Sequence, residues 1–252
     1  MFCKLKELTD TIKIITLRKQ KTSKMQLRRF LTIVLLFETL ISGYSQVTVN
    51  PNFGLKSHET LDINRIEITK DKTVVSFTIE NRIENGTFCA DRKIYITDPS
   101  GNKLKVITTT GIPVCPDNYI FKKPGEKLSF TLKFPPLEGE PVSIDLKEEC
   151  SENCFSFYGI VLDEYINSRL DEGFSLAERG ESLKALDTFV KMTDITAKNN
   201  GIRALVYYNI VKLARETGNT VKAGEWYKKL SAMSSRGGKI YIDQLNLQGI
   251  RY

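Results

Sequence analysis

The feature that most constrains this chain is a change of hydrophobic period near Asp163. Before it, apolar and polar residues alternate in short runs broken by Gly, Pro and Asn; after it, apolar residues recur at helical spacing. The two periods do not share one element, so a β-rich part precedes an α-rich part, and the expected class is an α+β multidomain chain.

Seven stretches read as strands: 61–69, 73–80, 93–97, 103–108, 127–134, 142–146 and 155–162. In the second, Val75, Phe77 and Ile79 share one face while Ser76, Thr78 and Glu80 share the other. In the fifth, Leu128, Phe130, Leu132 and Phe134 point one way, and Pro135-Pro136 stops the run. The third and fourth are joined by Asp98-Pro-Ser-Gly-Asn102, whose proline fixes φ and whose glycine permits a positive one. Alternation of this kind buries one face and solvates the other, which builds an antiparallel β-sandwich over residues 46–163.

Residues 1–45 read as a leader. Arg28-Arg29 precedes the apolar stretch Phe30–Phe37, and Gly43 and Ser45 are small residues ahead of Gln46. Cleavage is therefore expected before Gln46, with Met25 as the start that gives a leader of normal length. The apolar stretch, interrupted by Glu38, is too short for a permanent membrane span. The leader also holds most of the surplus positive charge. The chain has 37 basic and 30 acidic side chains, and residues 46–252 keep 28 and 27 of them. That near-balance removes the bulk attraction to a phosphate backbone, so no nucleic-acid partner is expected. The protein is expected to be exported: periplasmic, envelope-associated or secreted.

Four cysteines remain beyond the leader: Cys89, Cys115, Cys150 and Cys154. An even number in an exported chain reads as a disulfide framework, and four cysteines allow three connectivities. Cys89–Cys115 with Cys150–Cys154 is favoured, because the first two flank a predicted hairpin that brings its ends together. The alternative for Cys150-Ser-Glu-Asn-Cys154 is a thiol–disulfide centre. Such centres space their cysteines by two residues at a helix N-terminus, whereas here there are three, followed by a strand-like run. No metal site or cofactor is expected. The chain has a single histidine, His58, read as a surface or turn residue, and its cysteines lack zinc-ribbon spacing.

After Asp163 two segments match at fixed offsets. Gly173, Gly180, Ala185, Phe189 and Met192 form the first set; Tyr207, Ile210, Gly218, Ala223, Tyr227 and Leu230 form the second. Small residues sit where paired helices approach, aromatics fill between them, and glycines turn each hairpin. This pattern resembles two tetratricopeptide repeats over about residues 166–235. It departs from the family at Arg169, Glu172 and Val211, and its turn glycines are 38 residues apart. The seven strands resemble an immunoglobulin-like sandwich in number and length, without a tryptophan between the cysteines. The expected layout is thus a sandwich over 46–163, two helical hairpins over 164–235 and a tail over 236–252. The tail alternates like a strand, yet Leu245 and Leu247 equally suit a helix capping the repeats.

Tetratricopeptide arrays bind peptides or proteins along the face of their first helices. The resemblance places Asn167, Phe174, Glu178, Tyr208, Lys212 and Arg215 on that face, with Lys212 and Arg215 suited to a carboxylate and the aromatics to apolar contact. It implies a non-enzymatic interaction module for a protein or peptide partner, an envelope protein among the possibilities, with self-association left open. Catalytic chemistry is poorly supplied: one histidine gives no Ser/His/Asp or Cys/His set. Asp163-Glu164 and Asp171-Glu172 are sequence neighbours that diverge on a helix, so they do not flank a substrate. A glycan-binding sandwich is a third reading, with Tyr95, Tyr119, Phe121, Phe155 and Tyr158 as a stacking platform.

Overall fold

The alternation seen in the sequence is realised as strands whose inner residues meet in one interior. The computed structural model describes residues 45–150, 153–196, 200–234 and 236–252. The expected leader lies outside the described residues except for Ser45. Sheet one has the order β1 (Ser45–Val49), β3 (Leu61–Thr69), β4 (Thr73–Glu80), β10 (Lys127–Phe134) and β8 (Thr108–Thr110). Sheet two runs β2 (Leu55–Lys56), β12 (Ser156–Val161), β11 (Ser143–Glu148), β6 (Ile94–Thr97) and β7 (Lys103–Lys105). A separate ribbon pairs β5 (Thr87–Phe88) with β9 (Tyr119–Ile120). All these pairings are antiparallel.

β4 and β10 pair along their full length, from Thr73 opposite Phe134 to Glu80 opposite Lys127. That register stacks Phe77 on Phe130, with centroids 5.0 Å apart, and brings Phe155 and Phe157 of the opposite layer to 6.1 Å from Phe77. Leu61, Ile66, Val75 and Leu132 from sheet one share this interior with Ile94, Ile96, Leu146 and Phe157 from sheet two. Each such side chain contributes about 1.5–3 kcal/mol by burial. The expected strand 103–108 is two pieces on different sheets. The Val106 amide donates to Ile94, and the next amide, Ile107, donates to Lys133 across the sandwich.

Five helices follow: α1 (Glu164–Glu178), α2 (Ser182–Ile195), α3 (Asn200–Glu216), α4 (Thr220–Ser231) and α5 (Arg236–Leu247). Asp163 starts the first as its N-cap, its carboxylate accepting from the Ile166 amide at 2.8 Å. α1 and α2 form one hairpin and α3 and α4 a second, turned at Gly180 and Gly218 with φ of 74° and 77°. Close approach within the first hairpin depends on Gly173, where a Cβ would lie 2.8 Å from the Phe189 ring. The tail is a helix, not a strand. Tyr241 and Leu245, one turn apart, are buried against α3 and α4, while Leu247 is 88% exposed.

The two parts meet through β12, which lies against α1 and α3. Val161 belongs to the helical interior, and Leu55 packs against it. The contact is backbone on backbone: a Cβ on Gly54 would lie 3.1 Å from the Gly201 carbonyl oxygen, and one on Gly159 would lie 3.3 Å from Gly201 Cα. Residues 45–252 form one compact unit. Among the described residues, no helix is long and apolar enough to cross a membrane.

Candidate functional site

The helical spacing that nominates Asn167, Phe174 and Glu178 on α1, and Tyr208, Lys212 and Arg215 on α3, puts each set on one stripe of its helix. The surroundings divide them. Asn167 is 9% exposed and its amide is fully committed. Its Oδ1 accepts from the Asn52 amide at 2.8 Å and from Asn52 Nδ2 at 3.2 Å, while its Nδ2 donates to the Val161 and Asp163 carbonyls. Since the Val161 amide donates to the Asn52 carbonyl, the Asn167 side chain completes a strand-like ladder between these two segments. Asp171, one turn on, accepts from Asn52 Nδ2 at 2.8 Å. Phe174 is half-buried, edge-on to Phe189 at 5.4 Å.

Tyr208 is also 9% exposed, because α5 lies over it. Its ring stacks on Tyr241 at 4.7 Å, its hydroxyl oxygen accepts from Gln248 Nε2 at 3.1 Å, and Lys212 Nζ stands 5.4 Å from its centroid. Tyr241 donates its own hydroxyl proton to the Gly54 carbonyl. Burial, with Tyr208 beside it, pushes the Tyr241 phenol well above its ordinary range, so it remains a neutral donor. Three of the nominated side chains are therefore spent on internal contacts. Glu178, Lys212 and Arg215 remain exposed, and among the described residues neither Lys212 nor Arg215 has a carboxylate within ion-pair distance. Sequence reasoning weighed Asp171 only as a neighbour of Glu172 and passed over Tyr241 and Gln248. Asp171 was signalled by its i+4 offset from Asn167, and Tyr241 by its i+4 offset from Leu245.

The cysteines pair as favoured from the sequence. Cys89–Cys115 has a Cα separation of 5.3 Å and Cys150–Cys154 one of 5.6 Å. Between them stands Glu148, 7% exposed, which accepts from the Asp91 amide at 2.7 Å and the Phe155 amide at 3.2 Å. It thereby ties the segment after Cys89 to the segment after Cys154. Burial raises its carboxyl above the ordinary value, against the two amide bonds that lower it. His58 is half-buried in the turn before β3, edge-on to Phe88 at 5.5 Å. Burial and then Lys56 hold its imidazole below the usual range. Among the described residues no group of three His, Cys, Asp or Glu side chains is placed to hold a metal.

The proposed aromatic platform is not assembled. Phe155 and Phe121 are core residues, and the Tyr119 hydroxyl donates to Glu126 at 2.7 Å. Tyr95 and Tyr158 alone share a surface, the outer face of sheet two. The neighbouring carboxylates are separately occupied: Asp163 caps α1, Asp171 meets Asn52, and Glu172 pairs with Arg169. No family model, no curated protein and no solved structure matches the chain.

Proposed function

We propose that this is an exported, non-enzymatic interaction module: an immunoglobulin-like sandwich carrying a tetratricopeptide-like helical stack that holds an acidic peptide segment of a partner protein. The observation that carries this reading is the pair Lys212 and Arg215, one turn apart on α3 and exposed beside the Tyr208–Tyr241 stack with no carboxylate of their own. An unpaired basic stripe over rigid aromatics suits charge-assisted hydrogen bonds to a carboxylate. The contact of Gly173 with Phe189, the buried Ala185 and Ala223, and the positive-φ Gly180 and Gly218 support the repeat reading. The position of α5, closing the second hairpin, supports it as a capping helix. Two disulfides fit an oxidising compartment. Against a thiol–disulfide role, Glu148 and Glu149 immediately precede Cys150, and nearby carboxylates oppose the lowered thiol pKa that exchange requires.

A peptide array probed with wild-type protein and with Lys212→Glu/Arg215→Glu tests the reading. Acidic peptides bound by the wild type and lost by the variant, at unchanged thermal stability, support it. An array on which no acidic peptide bound by the wild type is lost by the variant overturns it.

A further inference from the structure

β7 is the last strand of sheet two, and its hydrogen-bonding parity fixes which groups face outward. The Val106 amide donates to Ile94 and the Asp98 amide to Asn102, so Leu104 opposite Ile96 is the hydrogen-bonded pair between them. The amides and carbonyls of Lys103 and Lys105 therefore point away from β6, and no backbone group among the described residues meets them.

The outer face beside this edge is basic. Lys147, Tyr95 and Lys105 stand directly opposite one another across β11, β6 and β7, a row spanning about 10 Å. Lys103 and Lys93 project from the same face, whose other rows pair Asp145 with Thr97 and Thr97 with Lys103. Its acids are occupied: Glu149 pairs with Lys103 at 3.2 Å, and Asp145 accepts from the Gly159 amide at 2.7 Å. Lys105 and Lys147 have no acidic partner among the described residues. Beyond the leader the chain is close to neutral, so this is a local concentration of charge.

We infer that the β7 edge takes up an extended acidic peptide as an added strand. Such a strand completes the open amides and carbonyls of Lys103 and Lys105, and its acidic side chains, recurring every second residue, fall beside Lys103 and Lys105, with Lys147 two strands further in on the same basic face. Two observations select a peptide over an acidic glycan. The open edge offers backbone bonds that a sugar chain does not complete, and the Tyr95 ring already carries the Lys103 ammonium 5.4 Å from its centroid. A second copy of this chain is disfavoured, because pairing β7 with itself sets lysine against lysine. This inference is independent of the helical surface.

The test uses residues 46–252 with both disulfides closed and a synthetic peptide of alternating Glu and Thr. Binding is expected to slow hydrogen exchange at the Lys103 and Lys105 amides, and to weaken as salt rises. Lys105→Glu/Lys147→Glu should lose about tenfold in affinity at the edge, and Lys212→Glu/Arg215→Glu should show the same protection of the two amides as the wild type. The same peptide N-methylated at every residue should fail to protect the two amides. Unprotected amides, equal protection in the Lys105/Lys147 variant, or loss of protection in the helical variant alone each overturn the inference. So does polygalacturonate that displaces the peptide and binds without protecting the amides.

Discussion

Replacing Asn167 by Ala tests the joint between sheet and helices most directly. The truncation removes the acceptor for the Asn52 amide and the donor to the Val161 carbonyl, both in the joint between the layers. A buried backbone group left unpaired costs about 1–3 kcal/mol, so two of them place the loss near 3 kcal/mol. With a urea m-value of about 3 kcal/mol/M for a chain of this size, the unfolding midpoint should fall by about 1 M. Asn167→Asp keeps the acceptor but turns a second carboxylate oxygen toward the Val161 and Asp163 carbonyls, so at neutral pH it should be at least as damaging. Glu178→Ala, on the exposed end of the same helix, should stay within about 0.5 kcal/mol. Equilibrium urea unfolding followed by tryptophan fluorescence and by circular dichroism reads all three. A loss below about 0.5 kcal/mol for Asn167→Ala would mean that the side chain is a surface group and that the ladder through Asn52 does not hold the two layers.

Further outcomes follow from other parts of the fold. The Cys89–Cys115 bridge closes 26 residues of chain and Cys150–Cys154 only 4. Removing the first pair as Cys89→Ala/Cys115→Ala should cost about 3.5 kcal/mol against about 2 kcal/mol for the second, and equal losses by denaturant titration would refute the loop-closure account. Gly173→Ala forces a methyl into the Phe189 ring and should cost about 1–3 kcal/mol, whereas an unchanged melting temperature would show that the hairpin yields there. Glu148 holds its proton to higher pH in the folded chain than in the unfolded chain. Its contribution is therefore complete below pH 4.5, the ordinary value, and is lost as pH rises through the folded value. Relative to Glu148→Gln, wild-type stability should decline over that rise, and a constant difference across it would count against burial as the cause.

Much of the sandwich was legible because long alternating runs have only one way to bury their apolar face. The runs 61–69, 73–80 and 127–134 are strands at those bounds. The short strands β1, β2, β5, β8 and β9 were not foreseen. Each is only 2–5 residues long and is strand by virtue of its partner, as where Leu55 pairs with Tyr158. The tail is ambiguous between strand and helix for a related reason. Ile240, Ile242, Leu245 and Leu247 permit either period, and the choice is made by the apolar surface of α3 and α4 that Tyr241 and Leu245 cover. Gly237 and Gly238, which look like a break, lie in the first turn of α5, where a Cβ on Gly237 would sit 3.2 Å from that of Ala204. Helical spacing sets which residues of α1 and α3 share a stripe. That spacing is silent on what covers the stripe: Asn52 from the β part over Asn167, and α5 over Tyr208.

The contact of Gly54, Gly159 and Gly201 has a consequence for how such a chain diversifies. Where side chains make a joint, each substitution resets its angle, and partners on either side must change together. Here main chain lies against main chain beside the few side-chain ties of Asn52, Asn167 and Tyr241, so the outer faces of both layers are free to vary while these are kept. The corollary is that neither layer is a transferable cassette. A chimera that grafts the helices onto another sandwich must bring the Asn52–Gly54 turn and the end of β12 with them, or it loses the surface on which α3 begins.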